Sequence, residues 1–385
     1  MERIKRSEEP EGRIEQATDE DYSNLRKLSS SRVEFITTGS TTLNLAGSGL
    51  GRDGGWARGR VFNIVGDGSS GKTITALESA HWFLKNITNR PSAIFPPVEK
   101  PIVVFNNPEG VMDFPLADMY GEDFEKSIDW QHIAQPDAVG RDILRRMERQ
   151  KQGEAILYLI DTWDALQPDK DDEKACEGDT KKAYDLDKQR YAWTFFRSMC
   201  KRMVDSNGGQ KDFTLGIVSQ TRQRIDATFG KKKYRTGGDA LNFYTHQVCW
   251  LYEKGKLPKT VLGEKRVYAL RVVGRFERNK VALPYREAEF QVLLNYGIDD
   301  VGSMLDWLYG PEAKGYPLDM KRRTAKQLEK YFEEGGKAFR ERDHAIKYFE
   351  QEDNYSQLLG AVEDLWWKVE DGLKPDRRPK WLTTL

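Results

Sequence analysis

Eight consecutive residues, Gly66-Asp67-Gly68-Ser69-Ser70-Gly71-Lys72-Thr73, have the spacing G-x-x-x-x-G-K-[ST] of a phosphate-binding loop. Glycines let a backbone turn tightly and bring its N–H groups up to phosphate oxygens. Lys72 adds a point charge for the β- and γ-phosphates of a nucleotide, and the Thr73 hydroxyl is a ligand type for Mg²⁺. Two carboxylates downstream would complete a hydrolytic site. Glu109 follows the short apolar run Ile102-Val103-Val104-Phe105. Placed at the C-terminal end of a strand beside the phosphate-loop strand, it would lie in the ligand crevice of an open α/β sheet and could deprotonate a water. The competing reading is a loop glutamate facing solvent. Asp161 ends a second apolar run, Ala155 to Ile160. Many buried strands end in aspartate, but one placed downstream of a phosphate loop holds the Mg²⁺ of the nucleotide.

These residues need elements to hold them. Arg60-Val61-Phe62-Asn63-Ile64-Val65 reads as a buried strand leading into the loop, and Ile74, Leu77, Ala80 and Leu84 fall at helical spacing after it. The helix N-terminus then points at the phosphates and favours anionic charge there. The lead-in from Gly47 to Gly59 reads as loop, and the proline-rich stretch from Asn89 to Pro101 as a surface excursion. Arg141 to Arg149 is a charged helix. From Tyr184 to Met203 the pattern is helical, with Leu186, Trp193, Phe196, Cys200 and Met203 on one face. Arg190 and Arg197, seven apart, share a side of that helix; the bland alternative is a solvated basic edge.

Phe213 to Gln220 is another buried strand, ending in a polar amide. After it, residues 221–236 carry Arg222, Arg224, Lys231, Lys232, Lys233 and Arg235 against the single acid Asp226, with Ile225 and Phe229 interleaved. Basic residues mixed with apolar or aromatic ones suggest a loop that tracks a DNA backbone and stacks on bases. A solvated charge run is the alternative. Gly237-Gly238 then opens a short helix. Strands at 247–252 and 267–273 flank a polar, hairpin-like excursion, and Phe290-Gln291-Val292-Leu293 is a further strand. Beyond Gly297 the texture is helical, charged and aromatic, ending past Trp366-Trp367.

The 385 residues carry 61 basic and 61 acidic side chains, so any nucleic-acid surface must be local. Cys176, Cys200 and Cys249 are widely spaced and show no metal pattern, and they read as free thiols in a reducing compartment. Neither a signal peptide nor a membrane-spanning run is evident, and the expected location is cytoplasmic. No internal repeat and no heptad run is present.

At this point the chain resembles bacterial RecA recombinases and their phage-encoded relatives. The resemblance rests on Thr38-Gly39-Ser40, Ser69-Ser70-Gly71-Lys72-Thr73, Asn107-Pro108-Glu109, Asp161-Thr162 and Gln220. It rests most specifically on Phe229-Gly230 followed by Thr236-Gly237-Gly238-Asp239-Ala240-Leu241-Asn242-Phe243-Tyr244, and on the run from Asn279 to Phe290. Order and spacing hold from about Phe35 to Leu305. The resemblance implies an ATP- and Mg²⁺-dependent ATPase that polymerises on single-stranded DNA as a helical filament and exchanges strands with homologous duplex. It makes Glu109 the catalytic glutamate and Gln220 the γ-phosphate sensor. Arg278 and Lys280 become cations reaching the neighbouring subunit's nucleotide, and Phe243 an interface residue. It places the first DNA loop around Glu177-Gly178-Asp179 and the second at 221–236, with Arg190 and Arg197 on the DNA backbone.

There are departures from the family. Asp67-Gly68 stands where Pro-Glu is usual, and Leu116 where an aromatic stacks on adenine, which leaves Asp113 as the adenine contact. Arg278 replaces a lysine, which keeps the charge but changes its geometry. The 86–101 excursion is longer than usual, and the tail from Asp371 is not the family's acidic one. The expected fold is α/β: a RecA-like core over 35–305 with a mostly parallel twisted sheet between helices, an N-terminal oligomerisation arm over 1–34 and a helical C-terminal region over 306–385. The functional alternatives are a RecA-like accessory ATPase and a ring helicase motor. The trans pair Arg278 and Lys280 and the absence of a separate helicase N-domain favour a filament.

Overall fold

A computed structural model describes residues 33–110, 112, 114–167, 181–203, 210–223, 233–235, 238–310 and 342–377; for 181–190, 222–223, 233–235 and 238–239 it gives the backbone path alone. Twelve strands lie within these residues. β1 (Phe35–Ile36) pairs only with β2 (Trp56–Ala57). The rest form one sheet: β3 (Val61–Gly66), β4 (Lys100–Asn106), β5 (Ile128–Gln131), β6 (Glu154–Ile160), β7 (Phe213–Gln223), β8 (Lys233–Arg235), β9 (Gln247–Val261), β10 (Glu264–Asn279), β11 (Glu287–Leu293) and β12 (Gly297–Asp299). Their order is β12-β11-β10-β9-β3-β7-β6-β4-β5, with β8 paired to β7. The half from β9 to β5 is parallel; β10, β11 and β12 add antiparallel strands at the other edge.

The parallel strands are buried on both faces, which explains their continuous apolar runs. Alternate residues of β6 go to opposite sides. Leu157 and Leu159 enter one core, and Ile156, Tyr158 and Ile160 the other. The first core is covered by α1 (Thr41–Ser48) and α2 (Lys72–Asn86). Next along the chain, α3 (Leu116–Tyr120) and α4 (Glu122–Ser127) are short helices whose Leu116 and Phe124 enter that core too. The second core is covered by α5 (Pro136–Arg149), α6 (Lys181–Arg202) and α7 (Gly238–Tyr244). On α6 the buried side chains are Ala192, Phe195, Phe196 and Met199, while Trp193 and Cys200 are half-buried. α8 (Asp300–Tyr309) is capped by Asp299, which accepts the Gly302 N–H at 2.8 Å. It runs through position 305 without a break. α9 (Arg342–Phe349) and α10 (Glu352–Gly372) then pack on it and share the first core through Phe349, Leu358, Val362 and Trp366.

Four local expectations are corrected. β4 is not beside β3: β7 and β6 lie between them, so Glu109 approaches the phosphate loop across two strands. The 47–59 run is not all loop, because Trp56 is fully buried, stacks on Phe62 at 4.4 Å and donates its indole N–H to Ser79. Residues 221–236 do not start as loop: Thr221, Arg222 and Gln223 pair with Arg235, Tyr234 and Lys233 as the base of a hairpin. The excursion after 252 is itself strand: β9 and β10 stay paired, with register shifts at Val267/Ala269 and Arg271/Val272, up to a tight turn at Leu262-Gly263, both at positive φ.

One buried acid on α2 gives a pH signature. Glu78 accepts from the Ile298 N–H at 2.9 Å, the Tyr120 hydroxyl at 3.2 Å and the Trp82 indole at 3.2 Å. Burial nevertheless dominates and pushes its carboxyl up to about 7. Below the unfolded pKa, about 4.5, both states hold the proton and no stability is lost. As pH rises to about 7 the unfolded state ionises first, so stability falls by up to about 1.4 kcal/mol per pH unit. The stability difference between Glu78→Gln and wild type should therefore move in the variant's favour by about 2–3 kcal/mol between pH 4.5 and 7.5. Urea unfolding across that range measures it, and a constant difference would contradict the assignment.

Candidate functional site

β3 lies between β7 and β9 and delivers the phosphate loop to the C-terminal edge of the parallel strands. Gly66 must be small there, since a Cβ would stand 2.8 Å from the Leu251 carbonyl oxygen. Gly71 caps α2 at φ +83°, in the left-handed region that glycine occupies without steric cost. Ser69 takes the same region at φ 60°. Ser70 Oγ and Lys72 Nζ both turn inward and donate to the Asp67 carbonyl, at 2.9 and 2.5 Å. The loop is thus wrapped around its own lysine. Lys72 is only 7% exposed. Burial pulls its ammonium pKa down, and the carboxylates of Asp161, Asp67, Asp164 and Glu109 pull it the other way.

Asp161 ends β6, buried, and accepts a hydrogen bond from the Thr73 side chain. Burial pushes its carboxyl up to about 6; Thr73 and Lys72 act against that shift, and Glu109 adds to it. A carboxylate and a hydroxyl side by side next to a phosphate-binding loop are ligand types for a small divalent cation. Among the described residues no cluster of three or more His, Cys, Asp or Glu side chains could hold a metal by itself. Thr73 and Asp161 could supply two points only, which would suit an ion that keeps waters and phosphate oxygens for its other positions.

Glu109 is exposed at the rim. The Thr162 hydroxyl donates to its Oε1 at 3.2 Å, and its own N–H is held by Asn107 Oδ1 at 3.0 Å. Asn107 is buried, so the glutamate stands on a fixed loop with one oxygen oriented and one presented. Gln220 pairs with Gly66 across β7 and β3, its side chain exposed beside the loop. Sequence inspection missed two further groups. Asp164, three residues after Asp161, accepts the Gln220 N–H through Oδ2 at 2.7 Å, and Thr221 donates its hydroxyl to Asp67 Oδ1.

The structure therefore brings Gly66, Asp67, Gly68, Ser69, Ser70, Gly71, Lys72, Thr73, Glu109, Asp161 and Gln220 together at one end of the sheet. It does not bring Arg278, Lys280 and Phe243 there. Asn279 pairs with Gln247, and Gln247 with Phe62, at the opposite end of β3 from Gly66. About 13 Å of strand separates the two levels. Lys280 Nζ donates to the Phe243 carbonyl at 2.7 Å and lies 5.8 Å from that ring. Phe243 is 57% exposed and packs on Trp193 of α6. Burial, then Arg278, lowers the Lys280 pKa. Burial, then Arg60, Lys280 and Arg278, holds nearby His246 down at about 4 and hence neutral. This far end is a patch of concentrated positive charge.

Of the expected nucleic-acid residues, Arg197 is exposed on α6, and Arg190 lies on the same helix. Arg222, Lys233 and Arg235 lie on the paired base of the β7–β8 hairpin, and Gly238 opens α7. Arg224, Ile225, Phe229, Lys231, Lys232, Gly237 and the segment around Glu177-Gly178-Asp179 lie outside the described residues, as does Asp113. Leu116 is 5% exposed and packed in the first core, so it presents no face to a base.

A family model, that of the RecA N-terminal domain, matches residues 14–299. The chain belongs to the RecA family. Proteins named RecA from two cyanobacteria illustrate the distance. That of Nostoc sp. (strain PCC 7120) is 29% identical over 332 residues, which is 85% of this chain and 79% of the relative. That of Rippkaea orientalis (strain PCC 8801) is 31% identical over 278 residues, 71% and 69% of the two chains. No helix among the described residues of this RecA-family chain is long and apolar enough to cross a membrane.

Proposed function

We propose that this chain is a DNA-dependent ATPase that binds ATP with Mg²⁺, assembles head to tail on single-stranded DNA as a helical filament, and pairs that strand with homologous duplex. In this scheme Gly66 to Thr73 and Lys72 cradle the phosphates, Thr73 and Asp161 hold the cation, Glu109 takes a proton from water, and Gln220 reports the γ-phosphate. DNA runs along Arg190, Arg197 and residues 221–236, with Gly237 and Gly238 following them. Adenine is left to Asp113. The cell interior supplies DNA and nucleotide.

One observation carries the proposal most. Arg278 and Lys280 sit at the end of the sheet remote from their own phosphate loop. A cation needed at a phosphate but placed away from its own acts on a neighbour's. Stacking one subunit's far end on the next subunit's phosphate end is a heterologous contact, which repeats into an open helix unless the rotation closes. Electron microscopy of the full chain with single-stranded DNA and an ATP analogue, alongside ATPase rates with and without DNA, tests this. Helical filaments and DNA-stimulated hydrolysis are expected. Closed hexameric rings would favour a helicase motor, and hydrolysis indifferent to DNA would overturn the proposal.

The same geometry makes a complementation prediction. Arg278→Ala or Lys280→Ala should each lower DNA-stimulated turnover on the order of 10²–10³ fold, because a pre-placed charge at the transferring phosphate is lost. Nucleotide binding to a single subunit should persist. Mixing Lys280→Ala with Glu109→Gln should restore activity at about one junction in four, since a heterologous contact joins the intact face of each. No recovery in filaments shown to co-assemble would exclude action in trans.

A further inference from the structure

Two carboxylates of the nucleotide site grip consecutive residues where β7 leaves the sheet and becomes the β7–β8 hairpin. Asp67, inside the phosphate loop, accepts the Thr221 hydroxyl through Oδ1. Asp164, in the short turn after Asp161, accepts the Gln220 N–H through Oδ2 at 2.7 Å. Gln220 is the last β7 residue paired with β3, and Thr221 the first paired with β8. The root of the hairpin is thus hydrogen-bonded to both the phosphate-binding turn and the metal-binding strand end.

The chemistry makes this root sensitive to phosphate. Asp67 also curls its carbonyl over the Lys72 ammonium at 2.5 Å. An anion bound at Lys72 competes for that ammonium and sets negative charge beside the Asp67 carboxylate. Asp67 is exposed, so water weakens this repulsion, but like charges a few ångströms apart still disfavour each other. The carboxylate must then turn, and the hydroxyl it holds turns with it or loses it.

Resting on the DNA-dependent reading above, we infer that Thr221, through its hydrogen bond to Asp67, is a positioning residue that links occupancy of the phosphate loop to the setting of the DNA hairpin. The bond is local and direct, separate from the Gln220 side chain. Valine at 221 keeps the shape and the strand preference but offers no donor. Serine keeps the donor.

The readout is a coupling ratio, the Kd of a short single-stranded oligonucleotide without a non-hydrolysable ATP analogue divided by that with it. Linkage makes this ratio equal to the reciprocal effect of DNA on analogue affinity. In the full chain, Thr221→Val should lower the ratio about fivefold or more, since couplings of this kind span roughly 5–150-fold. Thr221→Ser should stay within about twofold of wild type, as its donor remains. Asp67→Ala with Thr221→Val should be no lower than the lower single variant, because both remove one bond. A wild-type ratio in Thr221→Val, or a loss in Thr221→Ser as large as in valine, overturns the inference. So does weaker DNA binding by the same factor with and without analogue, which marks a merely structural role. A ratio of one in the wild-type protein overturns the DNA-dependent reading itself. If Thr221→Val fails to fold, Asp67→Ala alone decides the matter by the same ratio.

Discussion

Glu109→Gln should reduce ATP turnover by about 10²–10⁴ fold while ATP affinity stays within a few-fold of wild type. The substitution preserves shape and keeps an oxygen to accept the Thr162 hydroxyl, now 3.2 Å from Oε1. The Asn107 contact uses the backbone N–H and is untouched. What disappears is the carboxylate lone pair available to a water proton. Asp161, kept close to Thr73 and Lys72, cannot substitute: it is buried and bonded to Thr73. Single-turnover hydrolysis and analogue binding separate the two quantities. Turnover at the wild-type rate would remove Glu109 from the mechanism and return it to the status of a solvent-facing loop residue.

The second large effect is on stability. Arg58→Ala should destabilise the fold by about 3–5 kcal/mol, the cost of stranding buried charge. Arg58 has a fully buried side chain. Its Nε donates to Asp212 Oδ1 at 2.9 Å, Nη2 donates to Asp212 Oδ2, and Nη1 donates to Glu34 Oε2 at 3.0 Å. The guanidinium also lies 4.5 Å above the Phe95 ring. Burial pushes the Asp212 carboxyl up even with Arg58 in place, and Arg58 is what opposes that shift. Removing Arg58 leaves Asp212 to take up a proton or admit water. The double variant Arg58→Met with Asp212→Asn should recover part of the loss, because it leaves no buried charge at 212 while Glu34 keeps its bonds to Ser92, Ala93 and Ile94. Urea unfolding of Arg58→Met, Asp212→Asn and the double variant gives the coupling. If the double variant is no more stable than Arg58→Ala, the charges are not the source of the cost.

The nucleotide end was legible because its chemistry is compressed into short runs. A strand, eight loop residues and a helix are contiguous, and the rules relating glycine to φ and apolar period to burial act over that length. Asp161 and Glu109 were legible by the same token, each at the end of an apolar run. What sequence could not supply was strand order. Nothing in residues 100–109 states that two later strands insert between β4 and β3, because insertion depends on chain returning from residues 154 and 213. Arg58 was hidden for a related reason. It sits in a glycine-rich stretch that reads as loop, and its partners Glu34 and Asp212 lie 24 and 154 residues away. Asp164 and Thr221 were missed because each looks like ordinary polar punctuation until the sheet sets them opposite the Gln220 N–H and Asp67.

The separation of phosphate loop and cation patch along β3 has an arithmetic consequence. On the filament proposed here, a working site needs two subunits, so a run of n subunits holds n − 1 complete sites. The two ends are also chemically unlike: one shows a phosphate loop with no visiting cations, the other a cation patch with no nucleotide to visit. An isolated subunit is then silent, and activity per subunit climbs with run length before levelling off. ATP turnover becomes a gauge of how much DNA is continuously coated, and gaps in the coat are counted as lost sites.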